Sequence, residues 1–223
     1  MTLLLLDLDD TLLDRTAAMR AWAQRFLGEI DAPQSDIDWL LNKDAGAPLP
    51  LREFVVDLKD RYGLEGTLDE VAEGILEGLV SGMTVEPVVA SALKAASDGG
   101  WTTFIVTNGS VAAQEPKIRT SGLDAMVDGW IISEEADVWK PDPLIFELAA
   151  ERARAPLGGA WMIGDNPASD IAGAHRAGIS SVWMHRGRVW AESEFQPTAS
   201  AGSCAEAIHL VLESNGSVQV SGI

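Results

Sequence analysis

The feature that most constrains this chain is the alternation of short apolar runs with helical patterns through its C-terminal two-thirds. Leu3–Leu8, Thr102–Thr107, Trp130–Ser133, Ala160–Ile163 and Ser181–Met184 read as strands, while Pro87–Ser97, Ala112–Thr120, Pro143–Arg154 and Ala168–Ala177 read as helices. Strands separated by helices of about 10 to 15 residues require crossover connections, which build a parallel sheet covered by helices. The punctuation agrees. Asp142 before Pro143 reads as an N-cap followed by proline at the first helical position, and Gly178 stands where a left-handed C-terminal cap belongs. The expected class is α/β, a doubly wound parallel-sheet core of the Rossmann-like kind.

Residues 15–84 have a different texture. Met19, Trp22, Ala23, Phe26 and Ile30 recur at helical spacing, as do Leu51, Phe54, Val55, Leu58 and Tyr62, and then Leu68, Val71, Ile75 and Leu79. No strand pattern interrupts them, and Gly46-Ala47-Pro48-Leu49-Pro50 separates two of the helices. One crossover helix would join the first two strands, so the excess is an insertion, expected as a helical cap over the carboxyl end of the first strand. The expected domains are a core of 1–14 with 85–223 and a cap of 15–84. The polar stretch Ser214–Ile223 could fray or add a short strand.

Composition narrows the function classes. With 223 residues and a formal net charge of −18, the chain has room for one sizeable core plus an insertion, and its field repels nucleic acid and anionic membranes. No apolar stretch approaches the roughly 20 residues of a membrane-spanning helix. Leu3–Leu6 is broken at once by Asp7, and no basic residue precedes it, so a buried strand and a cytoplasmic location are expected rather than a signal peptide. The single cysteine, Cys204, rules out an internal disulfide and a thiolate metal cage, and reads as an incidental thiol. An anionic small substrate would be repelled too, unless a cation or a lysine reverses the local potential.

Ligands of open parallel sheets bind beyond the carboxyl ends of the strands. The polar groups expected there are Asp7-Leu8-Asp9-Asp10-Thr11 after the first strand, Thr107-Asn108-Gly109-Ser110 after the second, Lys140 after the third, and Gly164-Asp165 through Asp170 after the fourth. Asp7, Asp9 and Asp165 in one pocket repel one another unless a cation joins them. Oxygen ligands without histidine or cysteine select a hard ion, Mg²⁺ before Ca²⁺, and Mg²⁺ commonly takes one or two carboxylates plus a substrate phosphate. Lys140 adds a point charge suited to phosphate. Thr107 and the backbone amides of Asn108 and Gly109, at a helix N-terminus, are candidates to hold phosphate oxygens. Residues i and i+2 of an extended backbone point the same way, so Asp7 could attack phosphorus while Asp9 handles the leaving-group proton.

These four segments resemble the four motifs of the haloacid dehalogenase superfamily, in order and across nearly the whole chain. Asp7-Leu8-Asp9-Asp10-Thr11 is similar to its DxDxT, Thr107 to its second-motif hydroxyl, Lys140 to its third-motif lysine, and Gly164-Asp165 with Asp170 to its GDxxxxD. The insertion resembles that family's cap of the first subclass. The resemblance implies that Asp7 is the nucleophile and Asp9 the general acid/base. It also implies that Asp7, the Asp9 carbonyl and Asp165 ligate Mg²⁺, while Asp170 orients a metal-bound water or Lys140. The family's dehalogenases lack a carboxylate two residues after the nucleophile, so Asp9 implies phosphoryl transfer. The expected activity is hydrolysis of a small phosphomonoester. Mutase-type transfer on the same site, a phospho-accepting receiver domain and a silent binding module are the alternatives.

The remaining conspicuous residues have plainer readings. Asp10 points away by alternation and reads as structural or solvated, and Thr11 as a support of the loop. His175, His185 and His209 lack paired ligand spacing. Trp101, Trp130, Trp161 and Trp183 read as core, and Trp22 and Trp39 as candidates for the cap's inner face. Arg15, Lys43 and Arg52 read as surface charges that could reach the non-phosphate part of a substrate.

Overall fold

The computed structural model describes residues 2–44 and 51–216, so the Gly46–Pro50 break and the residues after Gly216 lie outside the described part of the chain. Among the described residues, six strands form one sheet in the order β3-β2-β1-β4-β5-β6. They are β1 (Thr2–Leu6), β2 (Trp101–Thr107), β3 (Gly129–Ile132), β4 (Trp161–Gly164), β5 (Ser180–Met184) and β6 (Ala199–Ala201), and every adjacent pair is parallel. Leu3 to Leu6 are each 0% exposed, because β1 is flanked by β2 and β4 and covered on both faces. That double burial explains an unbroken leucine run where a one-sided strand would alternate. β6 was not anticipated, since its three small residues carry no strand pattern.

The chain divides into two compact units, Met1–Leu13 with Val85–Ile223, and Asp14–Thr84. The first holds the sheet. The second is all-helical among its described residues, with α1 (Arg15–Glu29), α2 (Ile37–Asp44), α3 (Leu51–Tyr62) and α4 (Leu68–Val80), plus a 3-10 turn at Gln34–Asp36. Trp22 and Phe26 of α1 stack at 5.0 Å, and Trp22 also meets Phe54 of α3 at 6.2 Å. A Cβ at Gly78 of α4 would lie 2.6 Å from Trp22 Cδ1, so glycine there lets α4 approach the indole. Thr67 and Glu70 close a capping box at the start of α4. Trp22 is therefore a core residue of this unit. Trp39 stands edge-on to Tyr62 and beneath the Arg61 guanidinium.

In the sheet-bearing unit, α5 (Pro87–Asp98) starts with proline at its first turn and packs against α10 (Cys204–Gly216). The helices α6 (Val111–Thr120), α7 (Ser133–Ala136), α8 (Leu144–Arg152) and α9 (Ala172–Arg176) complete it. Ile145 and Phe146 of α8 join Leu3, Leu5, Phe104 and Val106 in one core cluster, where each large buried side chain contributes roughly 1.5–3 kcal/mol. Three local expectations are corrected. The helix expected from Pro143 begins at Leu144, with Pro143 itself at the N-cap and Asp142 Oδ1 accepting from the Leu144 amide at 2.9 Å. The helix expected over Ala168–Ala177 is a π turn, Pro167–Ile171, continued by the short α9. Asn166 caps that turn by accepting from the Ala168 and Ser169 amides at 2.9 and 3.1 Å, and Gly178 follows at φ +69°.

The third correction concerns the opening acidic run. β1 ends at Leu6 rather than Leu8. The Asp7 amide still donates to Ile163 O at 2.9 Å, but Leu8 O then accepts from the amides of Leu12 and Leu13, and Asp10 adopts φ 57°. Asp7 to Thr11 thus form a tight turn and not an extended segment, so the alternation argument for where Asp9 and Asp10 point does not apply.

Candidate active site

β1 and β4 are neighbours although β2 and β3 lie between them in sequence, which makes their junction the topological switch point. Asp7 directly follows β1 and Asp165 directly follows β4, while Thr107 is the last residue of β2. Lys140 reaches the same edge. Its ammonium donates to Asp7 Oδ1 at 2.6 Å and Val106 O at 2.7 Å, and pairs with Asp170 Oδ1 at 2.8 Å. Three acceptors use all three ammonium hydrogens. Burial alone would lower the Lys140 pKa, but Asp170 and Asp7 outweigh it and hold the ammonium above its ordinary value. Burial, and then the Asp170 charge, raise the Asp7 carboxyl well above the usual carboxylate range against the pull of Lys140.

Asp170 is fully buried, its Oδ2 accepting from the Asn166 amide at 2.9 Å. A Cβ at Gly164 would lie 2.3 Å from that oxygen, so Asp170 can occupy this place only beside glycine. Burial and the Asp170 charge push Asp165 up to about 7, with Arg188 opposing them. One carboxylate oxygen each from Asp7, Asp165 and Asp170 lie within 4.8 Å of one another. Three acidic groups at that separation, all oxygen donors, fit a hard divalent cation, which would offset their mutual repulsion. Asp170 was expected only as a supporting residue, and the structure places its carboxylate inside this group.

The Asp9 carboxylate is held apart from that group. Lys117 Nζ donates to its two oxygens at 2.8 and 2.7 Å, and Gln114 Nε2 donates to Oδ2 at 3.0 Å. The same Gln114 amide nitrogen reaches Thr107 Oγ1 at 2.6 Å, and so links two of the expected site residues. Asn108 serves with its side chain: Nδ2 donates to Lys140 O at 2.9 Å, and Oδ1 accepts from the Lys140 amide at 2.8 Å. That reciprocal pair ties the end of β2 to the lysine segment. The Gly109 amide, expected to face phosphate, donates to Ser133 Oγ at 2.9 Å. This differs from the sequence reading, because a committed N–H has no hydrogen left for a phosphate oxygen. Thr11 Oγ1 is buried without a partner among the described residues.

Two arginines of the loop between β5 and β6 also reach the acidic turns. Arg186 Nη1 donates to Asp10 O at 3.0 Å and lies 3.5 Å from its Oδ1, and Arg188 Nη2 meets Asp165 Oδ2 at 3.0 Å. Asp10 is therefore an anchored residue of the turn. Gln114, Lys117, Arg186 and Arg188 were all missed from sequence. A mid-helix glutamine and lysine look like a solvated face, and loop arginines look like surface charge. The histidines take no part in the acidic group: His175 stacks on Phe195 at 6.1 Å, His185 Nδ1 accepts from the Gly187 amide, and His209 is exposed on α10. Lys43 pairs with Asp57 at 2.6 Å and Arg52 is exposed, both within the helical unit.

Residues 1–178 match the family model described as haloacid dehalogenase-like hydrolase. This chain belongs to the haloacid dehalogenase-like hydrolases. The phosphoserine phosphatase of Thermus thermophilus is 32% identical over 120 residues, which cover 54% of this chain and 48% of that protein. The (S)-2-haloacid dehalogenase 4A of Burkholderia cepacia is 26% identical over 159 residues, covering 71% of this chain and 64% of that enzyme. The chain thus spans less than two-thirds of the length of those relatives. Among solved structures, the HAD-hydrolase YfnB of Bacillus subtilis, bound to magnesium, superposes with a TM-score of 0.75 at 24% identity, covering 94% of this chain and 98% of that one. The haloacid dehalogenase-like fold, with a helical insertion of the cap type after β1, is thereby shown. Among the described residues no helix is long and apolar enough to cross a membrane.

Proposed function

We propose that this hydrolase cleaves a small phosphomonoester with Mg²⁺ bound, through an aspartyl-phosphate on Asp7. The observation that carries the reading is the convergence of Asp7, Asp165 and Asp170 within 4.8 Å, with Lys140 against Asp7 at 2.6 Å. Asp7, the Asp9 carbonyl and Asp165 would hold the ion, which supplies positive charge for a phosphoryl group in transfer. Asp7 Oδ attacks phosphorus and the bond from phosphorus to the ester oxygen breaks; Asp9, which must first part from the Lys117 ammonium and take up a proton, would give that proton to the departing oxygen. Asp9 then takes a proton from the water that attacks the aspartyl-phosphate, freeing inorganic phosphate and restoring Asp7. Lys140 holds Asp7 in place, and Thr107 with the Asn108 amide would bind phosphate oxygens.

A carboxylate at Asp9 supports phosphoryl transfer over carbon–halogen cleavage, since an ester oxygen leaves best with a proton. The phosphoserine phosphatase among the relatives and the magnesium of the Bacillus subtilis structure support a small phosphorylated metabolite and Mg²⁺, a cation that would offset the repulsion between an acidic chain and an anionic substrate. p-Nitrophenyl phosphate hydrolysis tests the reading. Turnover should require Mg²⁺, stop with EDTA, and fall at least about 10³-fold in Asp7→Asn with the fold retained by circular dichroism. Substantial turnover by Asp7→Asn would sink the covalent mechanism. Stable phosphate release without an isomeric ester separates hydrolysis from mutase chemistry.

A further inference from the structure

Gln114 and Lys117 lie on α6, outside all four sequence motifs, yet both are almost wholly buried, at 2% and 4% exposed. A buried amide and a buried ammonium are costly unless fully bonded, and here each bond constrains the next. Lys117 Nζ donates to Gln114 Oε1 at 2.6 Å. An ammonium has hydrogens and no lone pair, so the amide oxygen must face Lys117 and the amide NH₂ must face the other way. The NH₂ then donates to Thr107 Oγ1 at 2.6 Å and Asp9 Oδ2 at 3.0 Å, with Asn108 O a longer third acceptor at 3.3 Å. The reverse amide orientation would set the amide oxygen against the Asp9 carboxylate, acceptor on acceptor, and would draw the Thr107 hydroxyl hydrogen inward.

Gly109 carries an independent sign that this placement is built in. Its φ is +151°, and a Cβ there would lie 2.8 Å from Gln114 Cγ and 3.0 Å from Cδ. The glycine thus keeps clear the channel through which the Gln114 side chain reaches Thr107, and this accounts for glycine at that position better than an amide aimed at a ligand.

We propose that Gln114, locked in orientation by Lys117, is a positioning residue that makes the Thr107 hydroxyl an acceptor on its buried side and so a committed donor toward a substrate phosphoryl oxygen. The same amide holds Asp9 and Thr107 at a fixed separation, so the groups expected at the leaving oxygen and at the phosphoryl oxygens move as one. This inference rests on the phosphatase reading.

The test uses the full chain with saturating Mg²⁺, p-nitrophenyl phosphate as substrate and inorganic phosphate as competitive inhibitor. Gln114→Met removes the donors, and Gln114→Glu keeps the size but sets an acceptor against Thr107. Each should weaken phosphate inhibition roughly tenfold, the scale of one hydrogen bond to a charged group, and raise KM in parallel. Thr107→Val should do the same, and phosphate should inhibit Thr107→Val/Gln114→Met no more weakly than it inhibits Thr107→Val alone, because Gln114 acts through Thr107. Gln114→Glu keeps the test decisive if Gln114→Met fails to fold, since the channel then stays filled. Wild-type phosphate affinity in both folded Gln114 variants, or losses that add in the double variant, would overturn the inference while leaving phosphatase activity standing. A wild-type protein that neither hydrolyses the ester nor binds phosphate overturns both.

Discussion

Single atoms decide much of this site. Gly164 has an ordinary backbone need for no special φ, yet a Cβ there would overlap the Asp170 carboxylate, which is itself fixed by Lys140 at 2.8 Å and by the Asn166 amide at 2.9 Å. The carboxylate therefore cannot swing aside without leaving an uncompensated buried charge. Gly164→Ala is expected to cost about 1–3 kcal/mol, as overpacking does, and to lower turnover by displacing Asp170. Urea denaturation against wild type measures the first effect, and an unchanged midpoint would contradict the contact. Gly164 was legible as part of a motif, but its reason was not. Nothing in the spacing of Gly164 and Asp170 says that one fills the space over the other.

At the scale of elements, the turn between β4 and α9 is the part that local pattern misjudged. Helical periodicity over Ala168–Ala177 predicts one α-helix, and the chain instead makes a wider π turn, with the Ile171 amide 3.4 Å from Asn166 O. Such bulges gather at functional sites, because they shift one side chain relative to the regular helix. Here the shifted residue is Asp170, aimed back at Lys140. The Asn166 side chain holds the turn open at its start by accepting two amides. Asn166→Ala should therefore cost about 1 kcal/mol, the usual value of an N-cap, and its effect should appear as a lower midpoint in thermal or urea unfolding. A neutral substitution would mean that the turn is held by β4 and α9 alone. The strands were easier to read, since doubly buried parallel strands leave continuous apolar runs. β6 escaped because Ala199-Ser200-Ala201 is too short and too small-chained to leave one.

For the molecule as a whole, the lone cysteine reports on the sheet-bearing unit. Cys204 begins α10, is 3% exposed, and has its thiol pushed up to about 12, first by burial and then by Glu86. In an unfolded chain the thiol would titrate near 8.5. The folded state therefore binds the thiol proton more tightly, and this contribution to stability is intact below about pH 8.5 and declines as pH rises toward 12. At pH 8 a thiol-reactive disulfide should label the native protein far more slowly than the urea-unfolded chain, with labelling tracking loss of the sheet. Fast labelling of the native protein would show that α10 opens independently of the core. This agrees with reading Cys204 as an incidental thiol, now with burial as the physical reason.

Pattern along the chain was enough to determine the α/β class, five of the six strands among the described residues, the helical insertion and the acidic, hydroxyl and lysine groups at the strand ends. Those properties follow from periodicity and residue type, which are local. Only the tertiary structure decided which groups touch. Asp170 enters the acidic group, Asn108 ties down the lysine segment through its side chain, and Gly109 spends its amide on Ser133. Lys117 and Gln114, unremarkable on a helix, become the buried partners of Asp9 and Thr107. The reason is physical: a polar side chain takes its role from the partners that replace water around it, and parallel crossover connections bring those partners from more than a hundred residues away, as Asp9 and Lys117 show with a separation of 108.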